Sequence, residues 1–194
     1  MVEAEQNDGN TGTFTDPRDG KTYKTVKIGS QIWMAENLNY EFFDSYSVDD
    51  DPDNDEKYGR LYTWKAARVA YPDGWHIPSR EEWDELEKFV ADTLFRGDKD
   101  YVGYALKSAS GWKENDKGKP GNGSDALGFG ALPAGRRDGG GTFVGVLNYA
   151  HFWCSSDYSA NDAYGRNLSC LGTGLDTDDY HKDNALSVRC VKDQ

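Results

Sequence analysis

One stretch constrains the fold of this chain more than any other: Tyr71–Val90, YPDGWHIPSREEWDELEKFV. Ser79 followed three positions later by Glu82 spells a capping box, in which two side chains satisfy amide groups that a helix start leaves unpaired. The spacing predicts a helix that begins at Ser79 and stops before Gly97. Trp83, Leu86, Phe89 and Val90 share one stripe of that helix, while Glu81, Asp84, Glu85 and Lys88 point elsewhere, so the helix lies on a core. Pro72 and Pro78 hold the residues before them extended, and Trp75 and Ile77 are placed to fill the same core. His76, wedged between those two, reads as a hydrogen-bonding residue of the framework.

The 194 residues suffice for one domain with a sizeable core, and no interior linker divides them. Six Trp, twelve Tyr and eight Phe mean that aromatic rings supply much of the burial. With 22 Gly and few clear helices, the chain reads as a loop-rich α+β domain. A formal net charge of −12 repels phosphate backbones and acidic membrane surfaces, which argues against a nucleic-acid partner. No apolar run approaches the roughly 20 residues of a membrane span. The polar start, MVEAEQNDGNTG, has neither an apolar period nor the pattern of a signal peptide. A disordered lead-in over residues 1–13 and a single domain over 14–194 are therefore expected, as is a monomeric, mature secreted chain whose signal peptide has been removed.

Along the chain, Tyr23–Ile28 and Gln31–Glu36 are short strands joined by Gly29-Ser30, a pair suited to a type II′ hairpin. Between Tyr40 and Lys57 the sequence turns acidic and reads as a loop. Leu61 to Ala70 predicts a short helix burying Leu61 and Trp64, and Tyr101–Ala109 another that uses Val102, Ala105 and Leu106. Lys113–Asp125 is polar and Gly-rich, an exposed loop. From Leu127 onward the pattern is β, with strands expected at Phe129–Pro133, Thr142–Val146, Tyr149–Ser156, Ala163–Cys170 and Leu186–Val191. In the last of these, Leu186, Val188 and Cys190 alternate with Ser187 and Arg189, which predicts one buried and one wet face.

Catalytic patterns are sparse. The three His are His76, His151 and His181, and no HExxH, G-x-S-x-G, phosphate loop or CxxC occurs. His151 and Cys154 lie three apart on a predicted strand, which sends them to opposite faces and disfavours a cysteine–histidine enzyme. Carboxylates abound, but a glycosidase needs two of them set across a cleft, a pairing that spacing alone does not reveal. Asp49, Asp51, Asp53 and Asp55 offer hard oxygen ligands at every second position, and Asp176, Asp178, Asp179 and Asp183 form a second cluster. Neither completes an EF-hand loop, and a solvated acidic loop accounts for the same pattern. Calcium is the one cofactor for which the sequence supplies ligands.

Three cysteines, at 154, 170 and 190, leave at least one thiol without an intramolecular partner. If the two strands carrying Cys154 and Cys170 form an antiparallel hairpin centred on Asp162, those two face each other and a disulfide can form.

A recognition surface is the remaining candidate. On Tyr149–Ser156 the predicted buried face takes Phe152 and Cys154, leaving Tyr149, His151 and Trp153 on the other side. Close by in sequence lie Asp157, Tyr158, Tyr164, Arg166 and Asn167, with Arg136 and Arg137 in a Gly-rich turn. Flat rings stack on sugars or anchor peptides, while Arg, Asp and Asn orient a ligand through hydrogen bonds. A second layer of core is the competing account of the same rings, above all for Trp153. Tyr158 and Arg166, which flank a turn, are expected to be exposed.

Six ordered blocks carry a resemblance: KIGSQIWMAENLNY at 27–40, KYGRLYTWKAA at 57–67, GWHIPSREEW at 74–83, GFGALPAGRRDG at 128–139, HFWCSSDYS at 151–159 and LSVRCVKD at 186–193. Together they resemble the Fibrobacter succinogenes major paralogous domain family from Phe14 to Asp193. More distantly, the G-W-x-x-P-S-x-x-E-W block and the closing V-R-C-V are similar to the formylglycine-generating-enzyme branch of the C-type-lectin-like fold. The resemblance implies a C-type-lectin-like architecture, with short helices on twisted antiparallel sheets and the last strand beside the N-terminal one. It also implies export or attachment to the cell surface, for example as a lipoprotein. Family members carry cysteines in the acidic loop and just before the P-x-G-W block; here Asp and Tyr71 stand in those places, so Cys190 reads as a small buried hydrophobe left without a partner. Formylglycine-generating relatives use a cysteine pair for copper-dependent oxidation, which Cys154 or Cys170 alone echoes. The expectation is an extracellular, non-catalytic binding module for a polysaccharide or a surface protein. A carbohydrate-active or formylglycine-type enzyme and a purely structural cell-surface domain are the alternatives.

Overall fold

The computed structural model describes residues 10–115 and 118–194. The first hairpin is β1 (Thr11–Thr15), β2 (Thr22–Ile28) and β3 (Gln31–Met34), followed by β4 (Ser45–Ser47), α1 (Asp55–Tyr58), β5 (Arg60–Thr63) and α2 (Trp64–Ala70). The middle of the chain contributes β6 (Trp75–His76), α3 (Arg80–Phe95) and α4 (Val102–Leu106). The last third is β7 (Arg136–Arg137), β8 (Phe143–Val144), β9 (Tyr149–Asp157), β10 (Asp162–Ser169), β11 (Asp176–His181), β12 (Ala185–Ser187) and β13 (Val191–Lys192). One sheet has the order β1-β2-β3-β13-β6; the other runs β11-β10-β9-β12-β5-β4, with β7 and β8 attached beside β12. All pairings are antiparallel except that of β12 with β9, so the fold is α+β with two mainly antiparallel sheets.

The strongest local signals are realised. Ser79 caps α3, and Ser79 and Glu82 exchange the two bonds of the capping box. The turn between β2 and β3 has two residues, with Ile28 opposite Gln31 and Gly29 at φ 64°, as a II′ turn requires of its first position. Trp83, Leu86 and Val90 of α3 are buried, and Trp83 meets Trp33, Phe152 and Phe129 at ring separations of 4.8, 5.6 and 5.9 Å. These rings lie in one core cluster; Tyr62, Trp75, Trp153 and Leu186 belong to a second, on the other side of β9. Val102, Ala105 and Leu106 are buried on α4 as expected.

Several expectations are corrected. Thr11–Thr13, placed in the expected lead-in, belong to β1, because Thr11–Thr15 pairs along β2; residues 1–9 of that lead-in lie outside the described residues. Phe89 is 37% exposed and lies over Gly29, at the margin of the stripe its spacing suggested. Leu61 sits on a strand, not in a helix, and Thr63 caps α2 only after it. The stretch Phe129–Pro133 forms no strand and makes only an isolated bridge between Ala131 and Lys107. The acidic run Asp176–His181, read as a cluster of loop carboxylates, is the edge strand β11.

The last strand shows why alternation misled. It divides into β12 in one sheet and β13 in the other, and Val188–Cys190 crosses between them, donating no face to water. Val188 O and Cys190 O accept from Leu38 N and Met34 N, both at 2.9 Å, so this crossing is clamped along the segment after β3. Ser187 and Arg189 are each only 1% exposed. β13 lies between β3 and β6, beside the N-terminal hairpin but not beside its first strand.

Gly103 marks the tightest helix contact. A Cβ there would lie 1.9 Å from Gly174 O, and Tyr104 N donates to Thr173 O at 2.8 Å in the same contact. Gly103→Ala should therefore destabilise the protein by about 3 kcal/mol, the upper end of overpacking costs, in denaturant titration. Ser79→Ala should cost about 1 kcal/mol, the ordinary loss of a cap, in the same assay.

Candidate functional site

The surface anticipated on β9 and β10 does not form. Trp153 is fully buried with its Nε1 donating to Tyr62 O at 2.7 Å, because β9 has core on both faces: Phe152 and Cys154 in one cluster and Trp153 in the other. His151 is 7% exposed, stacked on the half-buried Tyr149 at 5.5 Å and hydrogen-bonded through Nδ1 to Tyr180 Oη at 2.9 Å. Arg166, expected at the surface, is 1% exposed under α3: Nη1 donates to Asp84 at 2.7 Å and Nη2 lies 3.3 Å from Glu87. Asn167 is buried and donates to Asp178 Oδ2 at 3.2 Å, and Arg136 lies over the Tyr180 ring. Of the anticipated set, Tyr158 (55% exposed) and Asp157 remain outside with the half-buried Tyr164, whose ring meets Tyr158 at 5.2 Å and lies under Arg80. Asp157 accepts from Lys182 Nζ at 2.5 Å.

The disulfide expectation is also corrected. All three cysteines are free and buried. Phe152 faces Arg166 and Trp153 faces Gly165, a register that puts Cys154 opposite Tyr164 and leaves Cys170 about 20 Å further along the strand at the usual rise per residue. The turn is centred earlier than Asp162, and a bulge follows Ala163. The Asp49–Asp55 run folds into two 3₁₀ turns and the start of α1. Asp51 Oδ1 accepts from Asp53 N at 3.1 Å, and Asp55 Oδ2 pairs with Arg60 at 2.6 Å. Among the described residues no three His, Cys, Asp or Glu side chains converge as a metal site.

A cleft of about 440 Å³ lies instead where the N-terminal hairpin meets α1. Its walls are Lys21–Tyr23, the Glu36, Asn37 and Asn39 side chains that follow β3, and Asp55–Lys57; Gly130, Leu132 and Arg189 close its back. Arg189 Nε and Nη2 donate to Asn37 Oδ1 at 3.0 and 2.7 Å, and Nη1 donates to Phe129 O. Burial pushes the Arg189 guanidinium down to about 9 against the pull of Asp125 and Glu36, and its cationic plane lies 4.5 Å from the Phe129 ring centroid. Lys21 Nζ donates to Asn39 O, and Glu36 Oε2 accepts from Lys24 N at 2.7 Å. Two acceptor atoms on lining residues, Asn39 Oδ1 and Asp55 Oδ1, are themselves buried and have no hydrogen-bond partner among the described residues.

The lining balances three cations, Lys21, Lys57 and Arg189, against three carboxylates, Glu36, Asp55 and Glu56. Such a cleft has no net pull on an anion or a bare cation. It offers mixed donors and acceptors at a concave surface, the composition that suits a polar, uncharged ligand. Sequence reasoning missed these residues because ENLN at 36–39 follows a strand without any motif and Arg189 occupies the wet position of an apparent alternation. A cation inside an otherwise apolar run was the available signal.

A two-sheet α+β domain with a charge-balanced cleft at the hairpin margin is the class of protein defined here. The chain belongs to the family of the Fibrobacter succinogenes major domain, whose family model matches residues 26–192, and this family has no assigned function. No curated protein and no solved structure matches the chain. Among the described residues no helix is long and apolar enough to cross a membrane.

Two histidines give the domain opposite pH dependences. Burial alone would lower His76, but hydrogen bonds to Asp193 at 2.6 Å and Glu82 at 2.8 Å hold it above its ordinary value, so it stabilises fully below pH 6.5 and less as pH rises through its raised value. His151 is pushed down to about 3 by burial and by Arg136, so the neutral ring is stabilising above pH 6.5 and that contribution is lost as pH falls toward 3. In thermal melts, His151→Phe should flatten the acid-side fall in melting temperature, and His76→Gln should flatten the decline above neutrality.

Proposed function

We propose that this chain is a non-catalytic binding domain, acting outside the cell or at its surface, and that its ligand is a polysaccharide seated in the cleft behind Asn39. The observation that carries this reading is the lining itself. Its cations and carboxylates balance, and Thr22, Asn39 and Lys57 add polar groups to the lining. A hydroxyl-rich, uncharged ligand both donates to and accepts from such a mixed lining, whereas an anion only accepts. The lectin-like arrangement belongs to the same proposal, supported by the closing strand β13 lying beside the N-terminal hairpin.

An enzyme would require two free carboxylates placed across the cleft. Glu36 is engaged by the Lys24 amide and Asp55 by Arg60, which favours binding over hydrolysis. A surface-protein ligand is favoured by a different feature: Phe43 and Val69 are 50% and 55% exposed, beside Lys65 and Arg68 on α2.

Calorimetric titration with neutral oligosaccharides tests the first reading. Binding that falls at least tenfold in Asn39→Ala and Lys57→Ala, with unchanged melting temperature, is the expected result. Binding untouched by both substitutions removes the cleft from consideration, and release of reducing sugar during the titration favours the enzyme.

A further inference from the structure

The margins of the two sheets are not alike. β6 and β8 span two residues each and β4 three, too short to receive a partner strand, while β11 carries Asp176, Asp178 and Asp179 along its length. β1 differs from all of them. Its sequence, TGTFT, has five residues with no charge and no proline, and among the described residues it pairs only with β2. Brevity, charge and proline are the devices that keep a sheet edge from adding another strand, so among the described residues β1 is the edge left open.

The groups on that edge follow from the register. Lys27 N donates to Asn10 O at 2.7 Å, and Gly12 faces Thr25 while Phe14 faces Tyr23. Bonded pairs recur at every second residue of an antiparallel ladder, so Gly12 and Phe14 direct their main-chain groups toward β2. Thr11, Thr13 and Thr15 direct theirs away from the sheet.

We propose that β1 pairs antiparallel with β1 of a second copy of this chain, across a twofold axis at Thr13, so that the two smaller sheets become one. The strand is its own complement in that register. Thr13 faces Thr13 of the second copy and Thr11 faces its Thr15, which uses every outward N–H and C=O in about six main-chain bonds, two per bonded pair. Phe14, packed on Trp75 at 5.1 Å, then faces Gly12 of the second copy, an aromatic ring across from a residue with no side chain of its own. The contact is uncharged, but each copy carries a formal charge of −12, so the bodies repel and added salt strengthens the pairing. This inference stands apart from the cleft and departs from the monomer expected from sequence.

Sedimentation of the full chain over a wide concentration range, in dilute and in molar salt, tests it. The expected result is a concentration-dependent dimer that tightens with salt. Thr13→Lys sets two ammonium groups against each other at the axis, and Thr13→Pro removes an amide that the register turns away from β2; each should weaken the dimer at least tenfold. The Thr13 amide should also exchange more slowly with solvent in the dimer. A monomer at every concentration and salt overturns the proposal, as does a dimer that Thr13→Lys leaves unchanged.

Discussion

Arg189 is the interaction on which the two sheets depend in common. The stretch that carries it passes from one sheet to the other, and a guanidinium in that position is tolerated only because its donors are met. Asn37 accepts twice through one oxygen, and the carbonyl of Phe129 accepts from the other arm. The same cation lies against Phe129 and Phe152, which touch Trp83 of the central helix. One side chain thus joins the segment after the hairpin, the irregular stretch at 129 and the aromatic hub. It also forms the back wall of the cleft, so the framework and the candidate site share a residue.

Seating cations on carbonyls and rings recurs through the molecule. Lys107 is 2% exposed and gives its three protons to Gly121 O, Ser169 O and Gly172 O, which ties the polar 113–125 loop to the end of β10. Lys182 reaches two carbonyls and Asp157 while lying 4.4 Å from the Trp64 ring. Arg18 spans Asp16, the last carbonyl of α2 and the Tyr40 ring. In a chain with 34 acidic and 22 basic residues, these cations serve as fasteners for loops, while the excess carboxylates keep the exterior charged.

What was legible in the sequence lay within a few residues of itself. The capping box of Ser79 and Glu82, the Gly29-Ser30 turn, the stripe of Trp83, Leu86 and Val90 and the short α4 are each set by neighbours a few positions away, and each forms, though Phe89 leaves the stripe and α4 is shorter than the expected 101–109. The candidate site was much less legible. The residues chosen for a binding face had the composition of one, with rings and polar groups on adjacent strands, but composition does not say which strand has core on both sides.

The sequence by itself determined the α+β class, the hairpin, the central helix with its start, and an aromatic core under an acidic surface, because periodicity and capping act over one or two turns of chain. Only the tertiary structure decided that Trp153, Arg166 and Arg189 are inside, that Cys154 and Cys170 lie apart, and that the cleft falls between the hairpin and α1. The physical reason is distance along the chain. Trp153 is held by Tyr62 O, 91 positions away, and Arg189 by Asn37, 152 positions away; Arg166 is held by Asp84, 82 positions away. A polar or aromatic side chain goes inside only when such remote partners arrive to satisfy it.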